Sequence, residues 1–100
     1  MRTADVAGVL SGVYDPELAI DIVSLGLVYG IEPGEDEVGV TITATSPACP
    51  MRDALCGMTE AVLQHAFPGK AVRLELTFSP PWSVEMADRA ALEELGLASN

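Results

Sequence analysis

Apolar positions along this chain follow two different periods, and the changes of period divide it into elements. Val6, Val9, Leu10 and Val13 fall at i, i+3, i+4 and i+7, which predicts a helix over 3–13 with Thr3 available as its cap. Asp15-Pro16 stops that helix, because the residue before a proline is pushed out of helical geometry. Residues 18–26 are apolar without a period and predict an irregular connection ending at Gly26. The period then becomes two. Leu27, Tyr29 and Ile31 predict one face of a strand over 27–32. Pro33-Gly34-Glu35-Asp36 has turn chemistry. A second strand follows over 37–45, with Val38, Val40 and Ile42 on one side and Thr41, Thr43 and Thr45 on the other. Separated by that turn, the two strands predict an antiparallel hairpin.

The segment SPACP, residues 46–50, interrupts the pattern, and a helix over 50–66 is expected after it. Met51, Leu55, Met58 and Val62 mark its core face, with Ala54 and Ala66 at the edges. Cys56, Leu63 and Phe67 form a second, sparser stripe, which suits either contact with the terminal helix or a partner or dimer surface. Pro68-Gly69 ends the helix. Val72, Leu74, Leu76 and Phe78 alternate with Arg73, Glu75 and Thr77 in a third strand over 71–78. SPPW breaks it, and residues 84–96 predict a last short helix closed by Gly96. One apolar face per strand suits a sheet covered by helices mainly on one side. The expected fold is therefore α+β, a two-layer α/β sandwich in the order α-β-β-α-β-α, with a three-stranded mixed sheet. Its threonine-rich outer face would be solvated or covered by a second copy.

Composition narrows the use of such a fold. One hundred residues fit one domain, and 49% apolar content argues against disorder. A formal charge of −10 repels phosphate backbones, so nucleic acid is a poor partner. No segment reads as a signal peptide or a membrane span, which implies a cytoplasmic protein with reduced cysteines. Cys49 and Cys56 are seven residues apart, about 10 Å of rise on one helix, too far for a bridge.

Cys49 carries the candidate chemistry. Pro50 suits the first position of a helix, which sets Cys49 at or near the N-cap. The helix dipole and Arg52 there favour thiolate. Buried packing is an equal reading for a free cysteine. A Cys-His enzyme needs a base, but His65 is the only histidine and lies about 24 Å along the same helix. Two separated cysteines and one histidine do not make a zinc site. A thiolate suits iron, iron–sulfur clusters or copper(I), but a cluster normally takes four thiolates. The missing ligands would come from a second copy, a partner or small thiols, which makes any such binding labile. Asp15 and Glu17 read as a turn more readily than as an acid–base pair. Trp82, after two prolines, reads as a cap over the sheet edge with its indole on the core.

Three blocks, in order, resemble the iron–sulfur cluster assembly domain family, which includes SufT-type proteins, phenylacetate-degradation PaaD-type proteins and the eukaryotic cytosolic iron–sulfur adaptor. VYDPELAIDIVSLGLVYGI (13–31) is similar to the family's D-P-E followed by I-V-D-L-G-L-V. TITATSPACP (41–50) is similar to T-x-T-T-P-G-C-P, and LELTFSPPWSVEMADRAALEELGL (74–97) to its strand, D-P-P-W and terminal helix. Asp15, Glu17, Thr43, Thr45, Pro50 and Trp82 fall on motif positions. Ser24 and Ser79 replace family aspartates, and Ala48 a glycine. The lack of a cysteine-rich C-terminal segment is closer to the short SufT-like members than to PaaD-type chains. The resemblance implies an accessory, non-enzymatic factor in iron–sulfur cluster assembly or transfer to target proteins. Cys49 would be a transient ligand of iron or of a labile cluster, with no permanent cofactor. Assembly machinery and client apo-proteins are the implied partners, with a homodimer possible. The alternative is an adaptor that recruits clients without binding metal, and a PaaD-like maturation role is also open.

Overall fold

The computed structural model describes residues 2–16, 18–45, 52–94 and Gly96. Helix α1 runs over Thr3–Leu10, strand β1 over Val28–Pro33 and strand β2 over Glu37–Ile42. Helix α2 spans Arg52–Ala66, strand β3 Ala71–Leu76, and helix α3 Arg89–Glu94, with a single 3-10 turn at Val84–Met86 before it. The order is α-β-β-α-β-α, as the periodicity predicts. β2 is central, antiparallel to β1 and parallel to β3.

The sheet is one-sided. Val38, Val40 and Ile42 of β2 are at most 2% exposed and meet Leu10 of α1 and Leu55 and Leu63 of α2 in the core cluster. On the other face Gly39 lies beneath the Arg73 guanidinium, whose nitrogens lie 3.5, 3.2 and 3.0 Å from the carboxylates of Glu32, Glu37 and Glu75. Those carboxylates raise the Arg73 pKa, the hydrogen bond that Arg73 donates to Glu37 most. The outer face is thus a solvated ion cluster more than a threonine ladder. Thr43 in particular is wholly buried just past the end of β2, where its N–H bonds the Leu27 carbonyl.

Other local expectations are corrected. α1 stops at Leu10, and Gly12 and Val13 follow in tighter turns to the carbonyls of Val9 and Leu10. Its cap position is Arg2 rather than Thr3, with the Arg2 N–H donating to Asp5 Oδ2 at 2.9 Å. In β1 a bulge at Tyr29 shifts the register, pairing Val28 with Ile42 and Ile31 with Val40. Val28 and Ile31 therefore share the core face, and Tyr29 leaves the predicted Leu27-Tyr29-Ile31 row. In α2 the core face is Leu55, Thr59 and Leu63, at most 1% exposed, while Met58 is 39% exposed. Leu55 and Val62 of the predicted stripe do pack on the core, and the centre of the buried face is turned from the predicted one by roughly 70°. Thr59 is accommodated because its hydroxyl donates to the Leu55 carbonyl at 2.7 Å within the same helix. Leu63, Cys56 and Phe67 all pack on the core, which removes the partner surface considered for that side. The last predicted helix is split: extended Ala87 separates the 3-10 turn from α3, whose N-terminus Asp88 caps by accepting from the Ala91 N–H at 2.8 Å.

Candidate functional site at one end of the sheet

The strand directions bring the sequence blocks to one place. Because β1 runs against β2 and β3 runs with it, Val28, Ile42 and Leu76 stand side by side. The start of β1 and the ends of β2 and β3 form one edge of the sheet. The 13–27 connection enters there, the chain leaves β2 there through Thr43–Thr45, and SPPW begins there.

Hydrogen bonds tie these segments together. The Thr43 N–H donates to the Leu27 carbonyl at 2.8 Å, and the Thr77 N–H to that of Ile42 at 2.9 Å. Trp82 Nε1 donates to the Leu25 carbonyl at 2.6 Å, with the indole half-buried on the core as its sequence context implies. Tyr29, turned out of the strand row by the bulge, donates its hydroxyl to the Pro80 carbonyl at 2.9 Å. The Asp88 N–H donates to the Ser24 carbonyl at 2.7 Å. Gly26 has φ +76°, and a Cβ there would collide with the Met86 carbonyl, so the L-G-L of the first block is the point where the third block crosses it.

Within the first block, Asp15 is 2% exposed and holds its turn by accepting from the Leu18 N–H at 2.9 Å. This is the turn-forming reading of Asp-Pro-Glu. Asp21 Oδ2 accepts from the Ser24 N–H at 2.9 Å. It thus holds the backbone at Ser24. Ala19, Asp21, Ser24 and Ala90 line a concavity of about 200 Å³ between this loop and α3, bounded by Tyr14.

Among the other sequence-predicted residues, Thr45 is half-buried at a bend past β2, and Arg52 is exposed as the first residue of α2. Cys49, Pro50 and Glu17 lie outside the described residues. Cys56 is a free thiol, half-buried one turn along α2. Burial pushes its pKa up, Asp53 and Glu60 add to the rise, and Arg52 opposes it. It is therefore a poor thiolate at neutral pH. His65 is exposed in the last turn of α2. The roles of Tyr29 and Asp88 were not read from the sequence; Asp21 was considered there only as a replacement for the family aspartate missing at Ser24, and it bonds the Ser24 N–H. For Asp21 and Asp88 a signal was present, an aspartate three residues before the amide it bonds; for Tyr29 there was none, because the bulge is a register event.

The profile of the family described as "Iron-sulfur cluster assembly protein" matches residues 3–76. An Fe-S protein maturation auxiliary factor of Porphyromonas gingivalis is 37% identical over 93 residues, covering 92% of this chain and 89% of that protein. The Fe-S protein maturation auxiliary factor SufT of Staphylococcus aureus is 38% identical, covering 86% of this chain and 99% of its own length. A crystal structure of a domain of unknown function from Bacillus anthracis superposes with a TM-score of 0.87 at 35% identity, covering 95% of this chain and 92% of that one. With the profile spanning the hairpin, α2 and β3, and full-length relatives agreeing with it, this chain belongs to the iron–sulfur cluster assembly protein family.

Proposed function

We propose that this protein is an accessory factor in iron–sulfur cluster assembly or in cluster transfer to target proteins, and that Cys49 is its transient iron or cluster ligand. The observation that supports the reading is the meeting of the described parts of the three motif blocks at one end of the sheet, with Thr43 bonded to Leu27 and Trp82 to Leu25. The printed names of the maturation-factor relatives support the same role. One thiolate cannot complete a cluster, so the remaining ligands come from a partner, a second copy or a small thiol. Iron or cluster is cargo here, held weakly enough to pass on. The protein works without turnover of its own, in the cytoplasm, between the assembly machinery and client apo-proteins. No helix among the described residues is long and apolar enough to cross a membrane.

Anaerobic reconstitution with iron, sulfide and thiol tests this. Brown colour with charge-transfer absorption is expected for the wild type and its loss for Cys49→Ser. In a deletion strain, Cys49→Ser is expected to leave client enzymes under-matured. Normal maturation by that variant would remove Cys49 from the mechanism. It would favour the second reading, a metal-free adaptor, to which the exposed Tyr14 and Met58 lend support.

A further inference from the structure

Among the described residues, the face of α2 that carries Met58 is left largely uncovered. Met58, Ala61 and Val62 line a groove of about 400 Å³ whose opposite wall is Gly12, Val13 and Tyr14. Nearly all of its lining is apolar in kind, and Tyr14 and Met58 are 56% and 39% exposed at its rim. Tyr14 also bounds the smaller concavity that contains Asp21, and a backbone bridge joins Tyr14 to Asp21. The two hollows therefore share Tyr14 in their linings, one lined by apolar residues and the other including Asp21.

Charge selects the occupant. The flank of α2 beyond Ala61 carries exposed Asp53 and Glu60, and none of the five basic residues lines either hollow. Three of those five are engaged elsewhere: Arg73 with three glutamates, Arg89 with Glu93, and Lys70 with the carbonyls of Gly34 and Glu35. A second copy would bring another −10 of charge to the same acidic surroundings. A groove of this size takes one or two apolar anchors, as helical and extended recognition segments supply them.

We infer that the Met58–Tyr14 groove and the adjoining Asp21 hollow together form a docking site for a partner-protein segment that pairs an apolar anchor with a lysine or arginine. The anchor fills the groove against Met58 and Val62, and the cation reaches over Tyr14 to Asp21. The docking proposal invokes none of the metal chemistry proposed for Cys49, and its test reads peptide binding alone.

The probe is a phage-displayed random peptide library, roughly twelve residues long to allow about three helical turns, selected on the immobilised full chain. Enriched sequences are expected to combine Leu, Phe, Met or Trp with Lys or Arg. One such peptide, made synthetically, should shift the amide signals of Gly12, Tyr14, Met58 and Val62 on titration. Met58→Glu and Tyr14→Ala should each weaken it at least tenfold, about 1.4 kcal/mol, and Asp21→Asn should weaken only peptides that keep their cation. Circular dichroism confirms folding of each variant, and Met58→Ala, a truncation at an exposed position, serves if Met58→Glu does not fold. The proposal is overturned by enrichment of sequences without a cation, by equal binding to the variants, by absence of any enriched binder, or by a concentration-dependent dimer in sedimentation that Met58→Glu abolishes.

Discussion

Trp82 and Cys56 show what single residues contribute at this sheet end. The Trp82 indole fastens the third sequence block to the first through one bond to the Leu25 carbonyl. Trp82→Phe keeps most of the apolar contact and removes that bond, at a cost of about 1 kcal/mol. For a domain of this size the thermal midpoint should fall by roughly 4–8 °C, and a midpoint unchanged within error would show that the bond is replaced by water. Cys56 is expected to react slowly. In Cys49→Ser protein it is the sole thiol, and its raised pKa keeps it protonated at neutral pH. Alkylation by iodoacetamide near neutral pH should be slower than that of an unstructured cysteine peptide. The linkage has a definite sign: the folded state holds the thiol proton more tightly, so this contribution to stability is present below the ordinary cysteine pKa and is lost as pH rises through the raised one. The exposure of the group keeps that contribution small.

At the scale of elements, α2 decides where the core ends and the free surface begins. Leu63 is wholly buried and Met58 is at the groove rim. Leu63→Ala is expected to destabilise by about 3 kcal/mol, as buried leucine truncations do. Met58→Ala, at an exposed position, should cost less than about 1 kcal/mol. Thr59→Val should stay within about 1 kcal/mol of wild type, because the Thr59 hydroxyl bonds only its own helix and its loss strands no tertiary partner. Urea unfolding of the three variants tests the assignment, and a Met58→Ala cost equal to that of Leu63→Ala would restore the rotation read from the sequence. The legibility of this helix was partial for a physical reason. Its existence and C-terminal end follow from apolar spacing and from Pro68-Gly69, but choosing Met58 and Val62 over Thr59 and Leu63 beside the shared Leu55 turns the buried face by roughly 70°. Counting threonine as polar and methionine as core selects the wrong one.

For the whole molecule, charge is the dominant long-range term. Fifteen acidic residues against five basic ones give self-repulsion that the exposed Arg73 cluster offsets only locally. Screening should therefore stabilise the fold. The thermal midpoint is expected to rise as NaCl is raised from about 0.01 M to about 0.15 M, where the Debye length falls from roughly 30 Å to 8 Å. A falling midpoint would mean that attractive ion pairs outweigh the net repulsion. The same field disfavours self-association and favours a cationic partner at the Tyr14 groove.

The sequence alone determined the order of elements, the hairpin, the one-sided sheet, the acidic field and the candidate thiol, because each is written in local periodicity, turn chemistry or composition. The three motif blocks were also legible as blocks, and the family they resemble is the one to which the chain belongs. Tertiary structure decided the rest. The bulge that frees Tyr29 for Pro80, the break at Ala87, the burial of Thr43 and the crossing of Gly26 by Met86 all depend on residues far apart in the chain. Trp82 and Leu25 are separated by 57 positions, and only the parallel pairing of β2 with β3 brings them to the same end of the sheet. Local patterns record which face of an element avoids water; what that face meets is a property of the packed chain.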